Sequence, residues 1–413
     1  MKNSGIEWIG EIPDDWNITT IKYACVFSPK CSKIVGLGIE NEITYTPMEY
    51  IKNGYYIQNT KIIADIPSSL TMYEEGDIVM AKVTPCFENG NIARMDNLVN
   101  GVGVGSSELY VFRTKKYNRD YLFYLLQNYI FKDCAASTMI GTGGLKRVSS
   151  HFIKNSKQPF PPISEQKAIA EFLDKKCGEV DALIADIQQE IETLEQYKRS
   201  VITEAVTKGL DPSVPMKDSG AGWMPTVPAH WLVEKIKYHL HLKTQKNMSD
   251  RQVLSLYRDY GIVPKDSRDD NHNVTSEDTS SYRFVRVGDF VVNKMKAWQG
   301  SVAVSQYEGI VSPAYFVYEF IDESFDKKYF HYLLRNKSYT IEFMRLSGGI
   351  RVGQWDLPAE AFENTLVLIP PIEEQQQIAD YLDKKCKEIE EIIADKQSQI
   401  ETLESYKKSL IYE

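Results

Sequence analysis

Six basic side chains stand where a chain that touches phosphate would need them. Lys146 and Arg147 close the glycine-rich run 141–147, and Arg351 follows Ser347-Gly348-Gly349-Ile350. Glycine lets a backbone come close to a phosphate, and a neighbouring cation neutralises it. Lys82, Lys294 and Lys296 lie at the ends of strand-like runs, where a reading loop would begin. These six are the candidate nucleic-acid contacts, and the bland alternative is charge solvated at a surface. Which side chains would meet base edges is not legible from one sequence, because the major-groove pattern is matched by a folded surface.

Other chemistry is harder to place. An adenine methyltransferase needs an Asn/Asp-Pro-Pro-Tyr/Phe motif to hold the amino group, and none occurs. No Gly-x-x-x-x-Gly-Lys-Ser/Thr phosphate loop is present either. The run Gly101, Gly103, Gly105 lacks the strand-turn-helix setting of a cofactor motif and reads as a flexible loop. His239 and His241 share a strand face with no further ligand at metal spacing, so they read as surface or packing residues. The six cysteines form no CxxC pair. No catalytic residue, metal ligand or cofactor is therefore assigned to this chain.

The elements that must position the basic residues come in two sets. Strand-like runs at 74–83 and 105–113 correspond to 284–298, 301–306 and 309–320, rich in Val, Tyr and Phe with Gly at the turns. One helix is expected near 119–137 and its counterpart near 327–346. Gly76-Asp77 and Gly288-Asp289 open matching strands, with Lys82 and Lys294 six residues beyond each Gly. Trp8, Pro13, Trp16, Ile21, Lys22 and Tyr23 are echoed by Trp223, Pro228, Trp231, Ile236, Lys237 and Tyr238. The four tryptophans read as anchors between globular parts and helices in preference to base-stacking groups.

The strongest signal is a repeat. Residues 161–204 reappear at 370–413, with 27 of 44 positions identical without gaps. Each copy opens on Pro-Pro, tolerated in a first helical turn, with Glu165 or Glu374 at the positive end of the dipole. Apolar residues then step by fours and threes: Leu173, Cys177, Val180, Ile184, Ile187, Ile191 and Leu194, and again Leu382, Cys386, Ile389, Ile393, Ile400 and Leu403. That spacing makes a coiled-coil seam, on which Cys177 and Cys386 read as small apolar residues. A narrow seam about 40 residues long needs a partner, and the other copy, in antiparallel pairing, is the nearest. Lys198, Lys396 and Lys407 fall on the seam; their stems either snorkel outward or fix the register.

Net charge is −9, yet its distribution matters more than its sum. Residues 1–160 carry 17 basic and 16 acidic groups, and residues 216–368 carry 19 of each, so the acid excess lies on the helices and linker. The helices are poor candidates for lying along phosphates, whereas each globular part can carry a basic face. No apolar run approaches the roughly 18 residues of a membrane span, and no secretory signal opens the chain. A reducing cytoplasm and no membrane are expected.

Together the PPISEQ and PPIEEQ helix openings, the FLDKKCGEVDALI-type helix, GLDPSVPMKDSG at 209–220 and the Trp…Ile-Pro..Trp start of each unit resemble the specificity subunit of prokaryotic type I restriction-modification systems. The fold expected on this footing is mixed α/β of the α+β type. Target recognition domains at 1–160 and 216–368 are separated by helices at 161–208 and 369–413, with a linker at 209–215, and the helices form an antiparallel coiled coil within a pseudo-twofold repeat. The resemblance implies a bipartite double-stranded DNA site, one half read by each domain. It implies two modification subunits that methylate adenine with S-adenosylmethionine, and a restriction subunit as a further partner. One departure is that the second copy stops at Glu413, the counterpart of Glu204, without the turns that carry the first to Lys208. The competing reading is a scaffold whose globular parts bind protein instead of DNA.

Overall fold

The computed structural model describes residues 1–142, 144–258, 260–267, 275–276, 278–349 and 355–413. The chain divides into two compact units, Met1–Ile187 with Ser398–Glu413, and Gln188–Gln397. Each unit therefore contains one sheet-bearing part and a stretch of both long helices, Ile163–Lys208 and Ile372–Tyr412.

Unit 1 is built on a five-stranded sheet in the order Cys25–Phe27, Leu109–Thr114, Ile78–Ala81, Ile92–Arg94, Asn53–Gly54. Its central strand, Ile78–Ala81, is buried at all four positions, so both faces are covered. Ile78, Met80 and Phe112 pack towards Ala170, Leu173 and Cys177 of the first long helix. Val79, Ala93 and Val111 pack the other way, around Tyr73. Unit 2 repeats the first four strands of this order as Leu240–Leu242, Tyr315–Phe320, Phe290–Asn293 and Val302–Val304.

The shared Gly-Asp pairs explain why the two sheets follow one plan. Gly76 and Gly288 have φ of +86° and +90°, values a side chain rarely allows. The following Asp is buried in both units. Asp77 accepts from Glu74 N at 2.8 Å and takes both Nε and Nη2 of Arg113 at 2.7 Å. Asp289 accepts from Arg286 N at 2.7 Å and from Lys243 Nζ at 2.6 Å. Each Asp thus locks the turn into its strand with a charge-assisted bond.

Three expectations are corrected. The helix expected over 119–137 is two helices, Arg119–Gln127 and Tyr129–Ala136, and that over 327–346 is likewise Lys327–Arg335 and Lys337–Leu346. Asn128 and Asn336 make the breaks. Asn128 Oδ1 accepts from the amides of Ile130 and Phe131, and Asn336 Oδ1 from those of Ser338 and Tyr339, so each side chain caps the second helix. Of the glycine run, Gly103 and Gly105 lie in a buried strand, Val102–Gly105, and not in a flexible loop, while Gly101 closes the turn before it. A Cβ at Gly103 would lie 2.0 Å from the Tyr73 ring, whose hydroxyl shares a 2.6 Å hydrogen bond with Thr46 Oγ1. Gly103 makes room for that ring. Finally, the strand-like run 284–298 turns at 286–289 and ends in a short 3₁₀ turn, Ala297–Gln299.

The long helices run antiparallel in each unit. In unit 1 Lys407 Nζ meets Asp181 at 2.6 Å. In unit 2 Lys198 pairs with Glu390 and Lys396 with Glu190, partner numbers falling as the first helix rises. The Lys198–Glu390 and Lys407–Asp181 pairs are counterparts in the sequence repeat. The seam lysines therefore sit across from acids that suit one register. Leu173, Cys177, Val180, Leu382, Cys386, Ile389 and Ile400 are buried, while Ile184, Ile187, Ile191, Leu194, Ile393 and Leu403 are half-buried. Gly209, at φ +78°, ends the first helix with its N–H on Ala205 O.

The Glu-Gln of each helix opening ties the helix to its sheet-bearing part. Trp16 Nε1 donates to Glu165 and Trp231 Nε1 to Glu374, both at 3.1 Å. Gln166 Oε1 accepts from Asn118 N at 2.9 Å and its amide donates to Pro161 O at 2.7 Å. Gln375 does the same with Asp326 N and Pro370 O, each at 2.9 Å. Two turns on, Tyr124 binds Asp174 and Tyr332 binds Asp383, both at 2.8 Å. Arg94 completes the first of these contacts and Lys328 the second. The tryptophans thus act in anchoring: Trp8 packs near Leu410 and Ile411, and Trp223 lies edge-on to Tyr339.

Candidate nucleic-acid interface

In unit 1 the three basic candidates come together beyond one end of the sheet's central strand. Lys82 follows the strand Ile78–Ala81. Its N–H donates to Glu108 O at 3.0 Å and its carbonyl accepts from Val148 N at 2.9 Å, which fixes it between two neighbouring segments. The ammonium donates to Ser107 O at 2.8 Å and lies 5.5 Å from the Tyr110 ring centre.

The run 141–147, expected as a loop, contributes to a two-stranded ribbon, Ile140–Thr142 against Leu145–Arg147, with a left-handed Gly144 at φ +81°. Thr84 holds its second strand as far as the turn. Thr84 N donates to Lys146 O at 2.9 Å, its hydroxyl donates to Gly144 O at 2.7 Å, and that hydroxyl accepts from Lys146 N at 3.0 Å. Arg147 grips Glu108 in bidentate fashion, at 2.7 and 2.9 Å. The Glu108 carboxyl is held below the usual carboxylate range, first by that hydrogen bond and also by Lys82, against its partial burial. Arg147 is thus a brace for the ribbon, while Lys146 projects into solvent.

Unit 2 uses the same frame with other side chains. Lys294 N donates to Ala314 O and Lys294 O accepts from Leu357 N at 2.9 Å, the counterpart of the Val148 bond to Lys82. Its ammonium lies 3.4 Å from Asp356. Lys296 is exposed two residues on. Arg351 lies outside the described residues. Beside these lysines stand two residues the sequence reading missed, Trp298 and Trp355, half-buried with ring centres 5.5 Å apart. The available signal was that these are the two tryptophans, of six, that take no part in the repeat echo.

His239 is buried, with Nδ1 3.0 Å from Asp322 and Nε2 3.0 Å from Glu234, and His241 is exposed. Among the described residues no group of three or more His, Cys, Asp or Glu is placed to hold a metal. Among them, too, no helix is long and apolar enough to cross a membrane.

The family model described as "Type I restriction modification DNA specificity domain" matches residues 15–193 and 242–402. The specificity subunit of the Escherichia coli type I restriction enzyme EcoAI is 35% identical over 198 residues, 47% of this chain and 33% of that subunit. The EcoEI subunit, also from E. coli, is matched over 33% of its length as well. The chain thus spans about a third of these two relatives. The MjaVIII specificity subunit of Methanocaldococcus jannaschii is 24% identical across 97% of this chain and 92% of its own. Among solved structures, a chain from a study of complex assembly and conformational transition in a type I R-M system shares the fold at TM-score 0.71, with 15% identity and 97% coverage of both chains. The HsdS subunit of Thermoanaerobacter tengcongensis reaches 0.51 at 17% identity, covering 97% of this chain and 96% of that one.

Proposed function

The chain belongs to the type I restriction modification DNA specificity family, and from that membership we propose that it is a non-catalytic subunit which reads a bipartite duplex site and directs adenine methylation by its partners. One observation carries the reading: each unit presents lysine-bearing loops at the same end of the third strand of its sheet, Lys82 and Lys294 being held by matching backbone bonds, while the neighbouring side chains differ. A common frame with unlike surfaces suits two half-sites of unlike sequence. The paired helices then set the separation of the readers, and S-adenosylmethionine serves the partner methyltransferase.

Phosphate contacts release counterions, so affinity is expected to fall steeply with salt. Titrating the chain with its modification subunit against duplex carrying the mapped methylation site should give a straight log–log salt dependence, and Lys146→Ala should reduce its slope by about one. Salt-independent binding, or none, leaves the scaffold reading standing.

Partner recruitment is supported by an exposed apolar face that occurs in both units. Phe172, Leu183 and Tyr406 in unit 1 are repeat counterparts of Tyr381, Ile392 and Tyr197 in unit 2, and each is between 41% and 52% exposed. Phe172 and Leu183 lie three helical turns apart on one face, outside the seam. Duplicated faces suit two copies of one modification subunit. Changing Tyr197, Tyr381 and Ile392 to Ser is expected to leave a complex one modification subunit lighter by native mass spectrometry. An unchanged mass would reject this face as the docking site.

A further inference from the structure

We infer that the ribbon of unit 1 reads thymine methyl groups in the major groove, with Ile140 and Leu145 as the specificity-determining side chains. The inference rests on the DNA-reading function proposed above and names part of what that reading recognises. In the ribbon's register Ile140 faces Arg147, Gly141 faces Lys146, and Thr142 faces Leu145. Side chains alternate across strands, so Ile140, Thr142, Leu145 and Arg147 share one face while Gly141 and Lys146 share the other. On the first face Ile140 is 79% exposed and Leu145 57%.

Two branched apolar side chains on a free ribbon weaken solubility and invite unwanted pairing, so fold stability does not account for them. The ribbon is nevertheless held firmly along its second strand, by Thr84 on Gly144 and Lys146 and by Arg147 on Glu108. A braced two-stranded ribbon fits the major groove, where the thymine C5 methyl is the apolar landmark. Lys146, on the opposite face, and Lys82, near the base, supply positive charge at the flanks of such a contact. On the second side, a Cβ at Gly141 would lie 2.2 Å from Leu145 O, so the glycine keeps the ribbon thin there. A half-site that carries a target adenine also carries a thymine opposite it, so a methyl is available in any such site.

The experiment uses the full chain with its modification subunits and the duplex site mapped from methylated genomic DNA. Two duplexes are made in which every thymine of one half, or of the other, is replaced by deoxyuridine, which lacks only the methyl. One of them is expected to bind roughly four-fold more weakly per contacted methyl lost. In the Ile140→Ser/Leu145→Ser variant that penalty should vanish for the same half, while recognition of the other half persists. Both residues are exposed, so the variant's unfolding curve should match that of the parent. Equal binding of both substituted duplexes, or a penalty that survives in the variant, overturns the inference. Failure of the parent complex to bind the unsubstituted site sinks the DNA-reading function itself and is recognised before any uracil is introduced.

Discussion

Trp231→Ala is expected to lower the stability of unit 2 by about 3–5 kcal/mol, the range for emptying a large aromatic site in a core. Trp231 is 0% exposed and belongs to the cluster that joins Ala205 and Val206 of the first long helix to Ile378 and Leu368. Its removal opens a cavity at the point where the sheet-bearing part meets the helices, and the loss does not end there. The indole N–H also satisfies Glu374, which would be left with His230 Nε2, at 2.7 Å, as its remaining side-chain partner. Trp231→Phe keeps most of the volume and forfeits the hydrogen bond, so it should cost about 1–2 kcal/mol. Trp16 holds the equivalent bond to Glu165 but is only half-buried, and Trp16→Ala should therefore cost less than Trp231→Ala. Urea unfolding followed by hydrogen exchange in each unit separates the two effects. A Trp231→Ala protein within about 1 kcal/mol of the parent would show that the helix is held by its other bonds.

The tryptophan echo was legible because a large aromatic repeated at matching positions is rarely idle. The long helices were legible for a related reason: a four-three apolar spacing kept up over about 40 residues matches the period of a helical seam and of no strand or loop. What those signals could not convey was the detail of attachment. Glu165 and Glu374 read as dipole partners, and nothing local says that an indole 149 or 143 residues away in sequence donates to them. Gln166 and Gln375, which bridge two and three backbone groups respectively, gave no signal beyond their place in the repeat.

The misread stretches fail in the same physical way. Gly101, Gly103 and Gly105 have loop composition, yet Gly103 and Gly105 lie in a strand, and at Gly103 the space is occupied by the ring of Tyr73, about 30 residues earlier. Asn128 and Asn336 sit inside apolar patterns that run through them unbroken. Only the turn of each side chain onto the next amides reveals a break. At the candidate interface, basic residues beside glycines were visible, but the bracing of Arg147 by Glu108 and the meeting of Trp298 with Trp355 depend on tertiary contacts. Local pattern carries least at tertiary contacts of this kind.

The largest functional change should follow from lengthening both long helices by seven residues within their paired stretches. Seven residues preserve the seam, because the repeat that meets the partner is itself seven. They add about 10 Å at 1.5 Å per residue, which corresponds to about three base pairs at 3.4 Å each. If the helices act as a ruler, methylation at the original site should be lost and should appear at sites with the same two halves and about three more base pairs between them. Phase makes the test sharper. Three base pairs turn the second half-site by about 100° around the duplex, at 10–10.5 per turn, whereas a heptad rotates the seam by only about 20°. The single-heptad variant should therefore use its new site weakly. Three heptads in each helix add roughly 31 Å, or about nine base pairs, close to one full turn. That variant should methylate its own lengthened site better than the single-heptad variant does. Genome-wide mapping of methylated adenine reads the spacing directly in each case. Unchanged spacing in both variants would mean that the readers find their half-sites independently of the helices, and the ruler would have to be abandoned even if DNA binding stood.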